Sequence, residues 1–243
     1  MIFGAASCQK DMANRKADCK VSFSVEIPND LATKAQMSDG STVDELVWEV
    51  YSESSDTPVY EGTINTYSIN SEGKKQFVLE LDLVTNVKYD ILCWAQKSET
   101  GYYGTSNLKK VTTNYKVYDY DKGAYVHAPA NDESRDAFYA YKEPFLVTGA
   151  ATLSVELRRP FAQVNVGTAD LAAALASGFE PKSSSLKVMN VFSTLNLVDG
   201  TATNNVNEVT FGTADIPVAT EVFPVANHAY MAMSYVLVGK DKG

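Results

Sequence analysis

At 243 residues the chain is long enough for one large domain or two of ordinary size, about 100–150 residues each. The hydrophobic fraction of 45% and charged fraction of 21% are those of a globular protein, and no run approaches the ~18 apolar residues of a membrane-spanning helix. A net charge of −9 argues against a nucleic-acid partner, because binding a polyanion requires clustered Lys and Arg to displace counterions.

The chain opens with "MIFGAASCQKD", in which the small residues Ala5, Ala6 and Ser7 stand directly before Cys8. This is the requirement of a lipobox, whose cysteine takes a diacylglycerol, and the polar residues 9–19 then read as a tether. A complete export signal needs a positively charged start and ~7–15 apolar residues. Only seven residues precede Cys8, none charged, so the expectation is the tail of a longer signal with its start upstream of Met1.

From Val21 the alternation is strict. Val21, Phe23, Val25 and Ile27 share one face, Ser22, Ser24 and Glu26 the other, and Pro28 ends the run, which predicts a half-buried strand. After the polar residues 29–42, with Asp39-Gly40 as turn chemistry, a second strand should turn Leu46, Trp48 and Val50 to one core. Residues 75–84 place Phe77, Leu79, Leu81 and Leu83 on one face. Residues 88–97 carry bulk on both faces, Tyr89, Ile91 and Cys93 against Leu92 and Trp94, as in a strand covered on both sides.

Residues 114–145 are irregular and read as a long decorated connection, with a short helix expected over 131–141 where acidic residues precede an aromatic run. Alternation returns at Leu153, Val155 and Leu157 and again at Ala162, Val164 and Val166, with a bend at Pro160. One clear helix is expected within residues 168–178, capped by Thr168 or Asp170 and closed by Gly178. Strand patterns resume to the end. Abundant aromatics, 14 Tyr and 10 Phe, suit a pleated half-buried surface.

Chemistry-bearing constellations are sparse. Cys8, Cys19 and Cys93 contain no CxxC, and His127 and His228 have no metal-spaced partners. GxSxG and Gly-rich phosphate loops are missing from the sequence, and "DYDKG" (119–123) lacks the remaining ligands of a calcium loop. No metal, cofactor or catalytic residue is therefore assigned, and the chain is not expected to be an enzyme. Cys19 and Cys93 share core-facing parity and read first as buried thiols, with a disulfide after export as the alternative. Arg158 and Arg159 are expected to pair with carboxylates across strands.

Three stretches, "VSFSVEIPNDLATKAQMSDGSTVDELVWEVYSE", "YDILCWAQ" and "LSVELRRPFAQVNVGT", resemble the fimbrillin-like (type V pilin) lipoproteins of the Bacteroides group, over residues 21–167. The resemblance implies an all-β chain of two tandem transthyretin-like antiparallel β-sandwiches with few short helices, at the outer face of the outer membrane. The corresponding division is a residual signal over 1–8, the tether over 9–19, and sandwiches over 20–148 and 149–243. The second is expected to be incomplete at its C-terminus.

The resemblance further implies partners. Other fimbrial subunits would join by strand exchange after proteolysis, with the lipid on Cys8 anchoring the chain to the outer membrane. Lys34 stands where the family's "ATRA" segment has arginine, and Arg15 in the tether is the other processing candidate. Leu157, Arg158, Ala162, Val164 and Val166 match the family's entry into its second sandwich. A different use is a monomeric surface lipoprotein that binds glycan or another host ligand, with Tyr102, Tyr103 and the tyrosines between Tyr115 and Tyr125 as stacking platforms.

Overall fold

The structure, a computed structural model, describes residues 16–28, 39–53, 55–217 and 223–239. The alternating segments form β1 (Cys19–Glu26), β2 (Glu45–Ser52), β3 (Tyr60–Ile64), β4 (Ser68–Ile69), β5 (Lys75–Leu83) and β6 (Lys88–Gln96). Next come β7 (Tyr103–Gly104), β8 (Val111–Thr113), β9 (Lys116–Asp119) and β10 (Ala124–His127), then β11 (Phe138–Leu146) and β12 (Ala151–Glu156). Beyond them lie β13 (Ala162–Thr168), the helix α1 (Leu171–Ala176), β14 (Ser183–Leu195), β15 (Ala202–Asp215) and β16 (Ala229–Val236). The protein is all-β, as the alternation predicts, with little helix.

Two four-stranded sheets, β12-β1-β5-β4 and β11-β6-β2-β3, enclose the first core. Its centre is the set that the period of two selects: Val21, Phe23, Val25, Leu46, Val50, Phe77, Leu79, Leu83 and Ile91. Each such fully buried side chain stabilises the fold by roughly 1.5–3 kcal/mol relative to exposure. Trp48 packs across the strand pair onto Gly62, where a Cβ would lie 2.8 Å from its ring. Pro144 lies where β11 slips register against β6, since a residue without an N–H breaks the ladder.

The second core gathers around Trp94, Leu108, Phe161, Phe211, Met233 and Tyr235. It is covered by the sheet β15-β14-β8-β7, the pair β13-β16 and the hairpin β9-β10. The two-sided bulk of β6 has its reason here. Ile91 and Cys93 enter the first core, while Leu92 and Trp94 on the opposite face enter the second.

Buried polar groups brace this junction. Glu49 accepts from Tyr51 Oη at 2.6 Å and from the Leu108 amide at 3.0 Å. Arg159 grips Asp136 through two bonds of 2.6 Å, and its guanidinium lies over Phe138 of the first core and Tyr235 of the second.

Several expectations change. β12 pairs in parallel with β1 and its Val155 enters the first core, whereas residues 102–135 furnish much of the second, so strand pairing does not follow a division at 148/149. Leu157 ends in the first core, while Ala162 and Val164 pack on the second. The helix expected over 131–141 is only a 3-10 turn, Glu133–Arg135, because Phe138 and Ala140 alternate with Tyr139 and Tyr141 and are drawn into β11. Cys19 and Cys93 are both buried and free, as first read. Burial pushes the Cys93 thiol up to about 12.

Arg159 has its carboxylate. Arg158 instead lies 4.6 Å over the Tyr139 ring.

Candidate functional site

The candidate site is built on β1, the first of the described strands. This strand lies inside its sheet, hydrogen-bonded to β5 on one side, antiparallel, and to β12 on the other. Among the described strands this β1-β12 ladder is the one parallel pairing, matching Val21 with Ala151 through Glu26 with Glu156.

The inward face of β1 is apolar without exception: Cys19, Val21, Phe23 and Val25, continued by Ile27, are all buried. Phe23 meets the edge of Phe145 with centroids 5.6 Å apart. The outward face is polar. Lys20 lies 3.4 Å from Glu80, and Gln76 Nε2 donates to Ser24 Oγ at 2.6 Å and to Glu26 Oε1 at 2.9 Å.

Main-chain bonds extend the ladder past both ends of β1. The Asp18 amide donates to Leu83 O at 3.0 Å, the Ile27 amide to Lys75 O at 3.0 Å, and the Leu157 amide to Glu26 O at 2.9 Å. The contacts that hold β1 are thus backbone ladders and a row of apolar pockets with a period of two. In contacts of this kind the main-chain hydrogen bonds supply affinity and the pockets for alternate side chains supply register and specificity.

The other predicted residues fall elsewhere. Cys8, Arg15 and Lys34 lie outside the described residues. Lys34 follows β1 in the chain and Arg15 precedes it, so only cleavage at Lys34 would separate β1 from the sandwich.

Tyr102 and Tyr103 are buried, not exposed. The Tyr102 hydroxyl donates to the Asp132 carboxylate and the Tyr103 hydroxyl to the Arg135 carbonyl, while the Tyr103 ring stacks on Phe161 at 5.4 Å. Burial pushes both phenols up. They are core residues and, contrary to the expectation, offer no exposed ring face for stacking. Nothing in a Gly-Tyr-Tyr-Gly stretch signals which tyrosine finds a buried acceptor.

The exposed aromatics are Tyr118, Tyr120 and Tyr125 on the β9-β10 hairpin. In "DYDKG" the Asp119 carboxylate accepts from the amides of Asp121 and Lys122 and from Lys122 Nζ at 2.7 Å, which makes it a turn cap held by a lysine. Among the described residues no three acidic, His or Cys side chains gather as a metal site would. Both histidines are exposed, His228 stacking on Phe223.

A profile described as a family of unknown function, DUF6562, matches residues 13–243. No curated protein matches the chain. Among solved structures, a candidate adhesin from Bacteroides thetaiotaomicron superposes with a TM-score of 0.52 at 14% identity, over 93% of this chain and 75% of its own. A candidate polysaccharide-binding protein from the same organism gives 0.50 at 12% identity, over 90% and 72%. The fimbrial anchor protein Mfa2 from Porphyromonas gingivalis gives 0.48 at 13% identity, over 92% and 75%. The two neighbours with TM-scores of 0.50 and 0.52 come from Bacteroides, the group whose fimbrillin-like lipoproteins residues 21–167 resemble. At these identities the likeness shows the fold.

Proposed function

The chain belongs to the DUF6562 family, and we propose that it is a lipid-anchored cell-surface subunit, structural or adhesive, that joins its neighbours by exchanging strand β1. Cys8 carries the lipid and holds the chain at the outer membrane until the chain is cut. Cleavage after Lys34 releases β1 together with the tether, and the extended segment of a neighbouring subunit takes its place.

The observation that carries this reading is the position of β1. Withdrawal would leave the unpaired edges of β12 and β5 facing each other across pockets vacated by Val21, Phe23, Val25 and Ile27. Open edges over an apolar floor are a template for a further strand. The adhesin described for the Bacteroides thetaiotaomicron neighbour supports a surface role.

Limited digestion with a trypsin-like protease tests it. Cleavage at Lys34 should convert monomer into a ladder of oligomers on unheated gels, and Lys34→Ala should suppress the ladder. A chain fully cut at Lys34 that stays monomeric overturns the exchange.

A further inference from the structure

The β9-β10 hairpin carries an aromatic surface for which neither the fold nor strand exchange has a use. Its register pairs Tyr118 directly with Tyr125 and Lys116 with His127. Val117 packs against the second core, and Tyr115 just before β9 anchors its hydroxyl on Phe192 O at 2.7 Å. The opposite face therefore points to solvent. Tyr118, Tyr120 and Tyr125 are 45%, 89% and 72% exposed.

Three such rings side by side on one short ribbon are uncommon, since apolar surface is ordinarily dispersed unless it binds something. The rings are ordered by one another. Tyr118 meets Tyr120 at 5.1 Å and Tyr125 at 5.3 Å, both edge to face. Among the described residues none of the three hydroxyls has a hydrogen-bond partner.

We propose that this face binds a neutral glycan chain. Two observations select that occupant. The first is size. Four-residue strands at ~3.3 Å per residue, ~4.8 Å apart, give a face of about 100–200 Å², far below the ~800 Å² per partner of a stable protein interface. The second is charge. The charged residues of the hairpin are Lys116, Lys122, Asp119 and Asp121, two of each sign, and in a chain of net charge −9 this offers an anionic polymer no attraction.

A pyranose fits what remains. Its C–H face lies on a tyrosine ring, and its hydroxyls exchange hydrogen bonds with the free phenols. Preordered rings with few rotatable bonds limit the entropic cost of binding. The site does not rest on strand exchange and belongs to the chain in either assembly state.

Calorimetric titration of the intact chain with cellohexaose, maltohexaose, xylohexaose and mannohexaose tests the proposal. At least one should bind, with an affinity insensitive to added salt. The triple variant Tyr118→Ala, Tyr120→Ala, Tyr125→Ala should weaken binding about tenfold or more at an unchanged melting temperature, and the triple Phe variant should retain most of it. Silence toward all four sugars, undiminished binding by the alanine variant, or binding confined to anionic glycans with steep salt dependence would each overturn it.

Discussion

The two cores are held by different kinds of contact. The first is closed by long strands whose inner faces are apolar throughout, with β1 at the centre of one sheet. The second depends on particular side chains. Arg135 is buried among Tyr102, Tyr115 and Phe211 and donates to the Asn114 carbonyl at 3.1 Å, and the hydroxyls of Tyr102, Tyr103 and Tyr115 donate to Asp132, the Arg135 carbonyl and the Phe192 carbonyl. The first core is the one whose contacts another strand of the same pattern would fit, and the proposed exchange is therefore assigned to it and not to the second.

Breaking the junction should have the largest effect. Asp136→Ala leaves the Arg159 guanidinium, itself mostly buried, without its carboxylate and should cost about 3–5 kcal/mol in urea unfolding. Replacing both partners with apolar residues of similar volume should recover most of that loss. If the double variant is as unstable as the single, the pair does more than neutralise itself.

Gly62→Val tests the first core at its outer strand. The added side chain must displace Trp48, and an overpacked core residue costs about 1–3 kcal/mol. Equal loss of stability in calorimetry and in Trp fluorescence would show that the effect is global.

The smallest effect is expected at Asp44, which joins the start of β2 to the end of β6. Burial raises its pKa, but the Lys97 ammonium and the Ser98 amide, which donates at 2.8 Å, outweigh burial and hold the carboxyl below its usual value. A depressed carboxylate stabilises the fold above its unfolded pKa, and that contribution is lost as pH falls through the folded value. The pair is partly exposed, so Asp44→Asn should cost under about 1 kcal/mol near neutral pH, with the difference from the parent vanishing in acid.

The first core was largely legible because a period of two identifies each strand and its inner face, as Val21 to Ile27 and Phe77 to Leu83 illustrate. Its closure was not. That β12 lies parallel to β1 is a pairing across more than a hundred residues, and alternation says which face is buried without saying which neighbour lies alongside. The second core was the harder one for the same reason that makes it specific. Whether Tyr102 is buried depends on Asp132, and whether Arg158 pairs or stacks depends on Tyr139, contacts that no local pattern encodes. Of the exposed aromatics, the hairpin tyrosines kept the exposure expected of a stacking surface, because short strands flanking a Gly-containing turn have little to cover them.

Cys19 offers the most direct test of the central claim. It sits at the first position of β1 and is buried, so in the intact chain it should resist alkylation by iodoacetamide. After cleavage at Lys34 and assembly, peptide mass mapping should find Cys19 alkylated at the rate of a free thiol, because the strand that carried it has left the sheet. Cys19 still protected in a fully cleaved sample would contradict the account, since β1 would then have kept its place.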